Sequence, residues 1–160
     1  MRHVISVTVE NKPGVLAHIS SLFAARGYSI DSLAVGETED PNLSRMTIVT
    51  RGDDQIIEQI TKQLRKLIST LKVQDLGEAD YIERDLVLIK VGVPSGKRSE
   101  ILEVAGIFRG KIVDVAAKDV VIELSGQESK IQAFVDLLRP YGIKEMARTG
   151  SIAMTRGAKS

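Results

Sequence analysis

At 160 residues, with 43% hydrophobic and 27% charged side chains, the chain has the profile of a soluble globular protein of one domain or two small ones. Its 22 basic and 21 acidic side chains nearly cancel, and with three Phe, three Tyr and no Trp it has few platforms for stacking bases, so both features argue against a nucleic-acid binder. The lack of cysteine excludes a disulfide scaffold, a thiolate metal site and a cysteine nucleophile, and fits a cytoplasmic protein.

The chain opens on MRHVISVTVE, whose polar and apolar residues alternate. It has no long apolar core and is read as neither signal peptide nor membrane span. Ile5, Val7 and Val9 share one side of a first strand. From Val15 the period becomes helical, through Ile19, Leu22 and Phe23, and Gly27 ends that helix. Ser29 to Val35 reads as a second strand, ETEDPN as a loop, and Arg45 to Thr50 as a third strand. Asp53 is placed to cap a second helix through Ile57, Ile60, Leu64 and Leu67. TLKVQDL makes a fourth strand, and GEAD, Gly77 to Asp80, a short hinge.

The second half repeats this order. DLVLIKVGV is a strand, and Ser99 to Phe108 a helix with Ile101, Leu102, Ala105 and Phe108 facing inward. KIVDVAA and DVVIELS are two strands around a tight turn. Gln127 to Leu138 is a helix using Ile131, Phe134, Val135 and Leu138, and Ile143 onward is extended. A shift of 74 positions brings Ile48 onto Ile122, Gly52 onto Gly126, Ile57 onto Ile131 and Leu64 onto Leu138. LFAARGYSID likewise resembles IFRGKIVD. The expected fold class is therefore α+β, two ferredoxin-like βαββαβ domains in tandem, divided as 1–77 and 78–160. Each would place both helices on one face of a four-stranded antiparallel sheet. The other face and the two edges then need cover, and pairing between two copies supplies it, so a homodimer is expected.

Few side chains suggest chemistry. His3 and His18 have no second ligand at metal spacing and are both read as surface residues. No Ser-His-Asp arrangement is visible, and Glu37, Glu39 and Asp40 form an acidic loop without calcium-loop spacing. GVPSGKRS, from Gly92 to Ser99, lacks one residue between its glycines for a phosphate loop and carries Arg98 where Ser or Thr would hold magnesium. No nucleophile, metal or cofactor cradle is evident, so no independent catalysis and no cofactor in this chain are expected.

The helix mouth at Asn11-Lys12-Pro13-Gly14 is the exception. Pro13 suits a helix start, and Gly14 leaves the first-turn N–H groups unobstructed, which favours an anion such as a carboxylate. The Asn11 side chain can bond an ammonium or a carboxylate, and Leu16 with its neighbours can hold a short aliphatic side chain. An α-amino acid offers all three features. A plain turn and helix start is the simpler reading of these residues alone.

The longer string VENKPGVLAHISSLFAARGYSIDSLAVG with DPNLSRMTIVT closely resembles the small, regulatory subunit of acetohydroxyacid synthase, also called acetolactate synthase. IFRGKIVDV and ARTGSIAMTRG resemble the C-terminal domain of the same family. The resemblance implies that residues 1–77 are an ACT domain, an amino-acid-sensing module. It implies a large catalytic partner carrying thiamine diphosphate, magnesium and FAD. That partner condenses two pyruvates to 2-acetolactate and CO2, in branched-chain amino acid biosynthesis. The small subunit would activate it and confer feedback inhibition by valine, bound between two ACT domains paired edge to edge. Carried onto this sequence, Asn11, Pro13, Gly14, Val15 and Leu16 would form one wall, and Ser29 and Ile30 of the other chain the opposite wall. Family members often carry Asn where this chain has Ser29, and serine is shorter with a single donor, so weaker effector binding is expected. Two other classes fit parts of the pattern: a free-standing ACT-type amino-acid sensor without a synthase partner, and a ferredoxin-like nucleic-acid module. RMTIVT lacks the aromatic pattern that the second would need.

Overall fold

The computed structural model describes residues 1–77 and 79–157. Glu78, in the predicted hinge, and residues 158–160, in the predicted second domain, lie outside the described residues. In chain order the elements are β1 (Arg2–Glu10), α1 (Val15–Ala25), β2 (Ser32–Glu37), β3 (Leu43–Arg51), α2 (Asp54–Arg65) and β4 (Thr70–Asp75). Then follow β5 (Tyr81–Gly92), α3 (Arg98–Ile107), β6 (Lys111–Val115), β7 (Asp119–Gly126), α4 (Glu128–Leu138), β8 (Ile143–Arg148) and β9 (Ile152–Thr155). The first sheet runs β2-β3-β1-β4 and the second β6-β7-β5-β8, with β9 also paired to β5. The two orders are identical under the repeat. The chain is thus α+β, two ferredoxin-like βαββαβ units in tandem.

By packing, residues 1–82 with the described residues from Ser151 on form one compact unit and Glu83–Gly150 the other. Among the described residues, 151–157 thus pack with the first unit.

In the first unit, alternation on the strands meets the helical period on one face. Ile5, Val7 and Val9 of β1, Met46 and Ile48 of β3 and Val73 of β4 pack against Val15, Ile19 and Phe23 of α1 and Ile57, Ile60 and Leu64 of α2. Asp53 caps α2 as expected, its carboxylate accepting from the Ile56 N–H at 2.9 Å. Gly27 lies in the left-handed region at φ 69°. Around it the Gly27 N–H donates to the Ala24 carbonyl and the Tyr28 N–H to that of Phe23. The Phe23 and Tyr28 rings meet edge-on at 6.0 Å, the apolar contact that accompanies this helix ending.

This helix ending moves the second strand. Ser29 to Asp31 still belong to the link from α1, so β2 begins at Ser32 rather than Ser29. His3 also departs from the surface reading. It shares the helix-facing side of β1 with Ile5 and is 6% exposed, with Nδ1 3.3 Å from Oδ2 of Asp75. His18 is exposed as read.

The opposite face of the first sheet has its own cover. Val4, Val49 and Leu76 form a small cluster with Ala153 of β9. The Arg45 guanidinium donates to the Ala153 carbonyl at 2.7 Å, and the Ser151 N–H donates to Ser32 Oγ at 3.0 Å.

The second unit repeats the helix-face core with Val87, Ile89, Val91, Ile101, Ala105, Val120, Ile122, Leu124, Ile131, Phe134 and Leu138. Leu102 was expected inside but is 40% exposed, because Ile101 and Ala105 take the inward stripe of α3. Gly52 and Gly126 occupy equivalent strand-to-helix turns. A Cβ at Gly52 would lie 2.8 Å from Ile56, and one at Gly126 2.6 Å from Lys130, in each case the residue four positions on.

Phe134 is fully buried against Phe108, their ring centroids 5.1 Å apart. Phe134→Ala is expected to lower stability by about 3–5 kcal/mol in urea titration. Truncation after Gly150 removes the cover of the first sheet's open face. The pairing of β9 with β5, the bonds Arg45–Ala153, Ser151–Ser32 and Arg156–Asp80, and the apolar contact of Ala153 go with it, for an expected loss of about 3 kcal/mol or more. An unchanged urea midpoint would show that the segment holds nothing.

Candidate functional site

The residues at the first helix mouth are brought together by the turn from β1 into α1. Lys12 N–H turns back to the Glu10 carbonyl at 3.0 Å, and Pro13 and Gly14 complete the turn. The helix starts at Val15, two residues later than a helix with Pro13 in its first position would, with Gly14 as its N-cap. Gly14 has φ 86° and ψ −11°, left-handed backbone that glycine adopts without strain, and nothing lies within 4 Å of where its Cβ would be. The mouth is therefore open both because it lacks a side chain and because its backbone excludes most others.

Val15 is buried and anchors the turn to the core, while Leu16 is 44% exposed and offers an apolar surface beside the opening. The Val15 N–H reaches the Lys12 carbonyl at 3.5 Å, and the His18 N–H bonds the Gly14 carbonyl. The N–H groups of Leu16 and Ala17 have no acceptor among the described residues. No side chain caps α1, and its first turn carries no acid. The other helices have Asp54, Glu100 or Glu128 in their first turns. An unbalanced positive helix end favours an anion.

Asn11 is also engaged within its own chain. Its side-chain N–H donates to the Pro41 carbonyl at 3.0 Å, and its backbone N–H donates to the Asn42 carbonyl. It ties the mouth to the β2–β3 loop and keeps its side-chain oxygen as an acceptor. That loop is itself braced, with the Asp40 carboxylate accepting from the Asn42 N–H. Among the described residues no group of three or more acidic or histidine side chains is arranged to hold a metal.

Ser29 is exposed, its carbonyl accepting from the Thr50 hydroxyl at 2.6 Å, and Ile30 is half-buried against the first core. Within one chain no hydrogen bond joins the mouth to Ser29 or Ile30 among the described residues. They stand just before β2, an outer strand with a free edge. Sequence reasoning missed the left-handed conformation of Gly14, although Pro-Gly before a helix is a signal for it. It also missed the Asn11–Pro41 tie, which joins residues 30 positions apart.

The second unit has a left-handed glycine at Gly96, φ 77°, equally open around its missing Cβ, but the residues that follow it carry charges engaged with their own neighbours. Lys97 pairs with Glu100 at 3.0 Å, and that hydrogen bond and charge hold the lysine above its ordinary pKa range. Arg98 donates to the carbonyls of Ala116 and Ala117.

Comparison with known proteins agrees with this architecture. The family described as AHAS small subunit-like ACT domain matches residues 5–72, and that described as small subunit of acetolactate synthase matches 84–157. The probable acetolactate synthase small subunit of Archaeoglobus fulgidus is 56% identical over 159 residues, covering 99% of each chain. The acetolactate synthase small subunit of Aquifex aeolicus is 54% identical, over 97% of this chain and 81% of its own. The crystal structure of the acetolactate synthase small subunit from Thermotoga maritima superposes with a TM-score of 0.89 at 46% identity, over 98% of each chain. No helix among the described residues is long and apolar enough to cross a membrane. With near full-length identity above half, and a shared two-unit fold, the chain belongs to the acetolactate synthase small-subunit family.

Proposed function

We propose that this chain is the regulatory subunit of an acetolactate synthase: it activates a separate thiamine-diphosphate catalytic subunit and makes it sensitive to valine. Family membership supports the subunit role, since a small subunit is one chain of a larger enzyme. Thiamine diphosphate, magnesium and FAD belong, in this reading, to the catalytic partner.

The observation that carries the effector reading is the mouth of α1. It presents unpaired N–H groups, no acid and no Cβ at a left-handed glycine. A valine carboxylate meets those N–H groups, and its isopropyl group lies on Leu16. The ammonium group is left to the Asn11 side-chain oxygen. Ser29 and Ile30 of a second chain, brought by pairing of the β2 edges, close the site. Binding across two chains favours one arrangement of the dimer, and the catalytic subunit reads that arrangement through differential affinity, typically ~1–3 kcal/mol of coupling. The chain is then a cytoplasmic component of branched-chain amino acid biosynthesis.

Gly14→Asp places a carboxylate where the effector carboxylate sits. The reconstituted enzyme is expected to keep its activation and lose valine inhibition. Because any side chain here takes left-handed backbone, a stability loss of about 1 kcal/mol accompanies the change. Gly14→Asn shares that strain without the charge, so valine titration calorimetry on both variants separates the two effects. Full valine inhibition retained in Gly14→Asp would refute the site, whereas failure to stimulate the catalytic subunit would refute the subunit role.

A further inference from the structure

The outer strand β6 has no cover. All five of its residues are exposed, Val113 by 50% and Val115 by 61%, and Ile107 at the adjoining end of α3 is 72% exposed. An apolar strand at a sheet edge offers unpaired N–H and C=O groups to another strand. It carries no proline, and its two charges are of opposite sign. Neither Lys111 nor Asp114 forms an ion pair or side-chain hydrogen bond among the described residues.

We propose that β6 is a second self-association edge, pairing antiparallel with β6 of another copy so that Lys111 of each chain faces Asp114 of the other. The register follows from the charges. A two-fold axis between Ile112 and Val113 sets Lys111 against Asp114 twice. An axis through Val113 sets Lys111 against Val115, and one between Asp114 and Val115 sets it against Lys118. Among registers that pair charges within β6 itself, only the first gives two attractive pairs, and like charges directly opposite would weaken the last.

Facing residues must also share a side of the sheet. Lys111 and Asp114 are three apart, which in a regular strand puts them on opposite sides. Here the ladder to β7 shifts between Ile112 and Asp114, so Lys111 stands opposite Glu123 and Asp114 opposite Val121. Glu123 and Val121 are two apart and share a side, so Lys111 and Asp114 do as well. A bulge ordinarily blunts an edge. This one aligns the two charges for a second copy of the same strand. The complementarity lies within the strand itself, which is why the occupant is another copy of this chain.

This edge is distinct from β2, and the two are separable by sedimentation equilibrium of the full chain at low salt. Val35→Lys alters the β2 edge at a residue 45% exposed. In that background self-association is expected to persist, and Lys111→Glu or Asp114→Lys is expected to weaken it about tenfold or more. The swap Lys111→Asp with Asp114→Lys restores both pairs and is expected to recover association to within about threefold. Each substitution is at an exposed position, so an unchanged thermal midpoint is expected to accompany them. A Val35→Lys chain that is monomeric up to about 1 mM would overturn the proposal. So would single swaps without effect, or a double swap as weak as the singles. If Val35→Lys changes nothing while the β6 swaps dissociate the protein, the β2 dimer fails and this edge stands.

Discussion

A four-stranded antiparallel sheet with both helices on one side leaves the other side and two edges exposed, and much of this molecule answers that constraint. The helix-side cores close well: Ile5, Ile48, Ile60 and Leu64 in the first unit and Ile89, Ile122, Phe134 and Leu138 in the second are completely buried. The remaining surfaces are treated unequally. The first open face receives Ala153, with Arg45 and Ser32 holding the covering segment by hydrogen bonds. In the second unit Leu86 and Leu88 remain 36% and 41% exposed on the corresponding face. Two copies of one architecture thus carry different surfaces, and the differences lie outside the shared core.

Most of the core was legible because its periodicities are strong. The stripes Val15–Ile19–Phe23 and Ile131–Phe134–Leu138, and the alternations of β1 and β5, need no long-range information. The misses have local causes. Ser29 to Asp31 alternate like a strand, but the bond from Tyr28 to the Phe23 carbonyl still belongs to the end of α1. His3 lacked a visible partner because Asp75 lies 72 positions away across β1 and β4. The destination of Ser151–Thr155 had no local signal either, since its contacts lie on the first sheet.

The end of α3 shows how a correct resemblance can mislead in detail. Aligning LFAARGYSID with IFRGKIVD equates Gly27 with Gly110. In the structure the left-handed position after α3 is Arg109, φ 60°, and Gly110 follows it. The Gly110 N–H donates to the Ala105 carbonyl, the role that Tyr28 plays after α1. The glycine is needed there for space: a Cβ would come within 3.0 Å of Ile122 and 3.3 Å of the Glu123 carbonyl. The second unit thus places a glycine where β6 and β7 crowd and leaves an arginine in the strained position, at a cost of about 1 kcal/mol. The same ending in the first unit has no such crowding, so its glycine can occupy the left-handed site and its sixth residue can be an aromatic.

The same comparison bears on why only one of the two helix mouths reads as a sensor. Both units enter their first helix through a left-handed glycine, Gly14 at φ 86° and Gly96 at φ 77°. The backbone differs by one position, since Gly14 is itself the N-cap of α1 while Gly96 precedes the N-cap Lys97 of α3. The side chains differ as well. At α3, Glu100 neutralises the positive helix end, Lys97 is held against Glu100, and Arg98 is committed to the end of the β6 strand. An incoming carboxylate would compete with an acid already in place. At α1 the first turn has no acid, the nearest lysine is paired with Glu10, and two N–H groups remain without acceptors among the described residues. In the proposed reading an effector carboxylate would supply at α1 the negative charge that Glu100 supplies at α3.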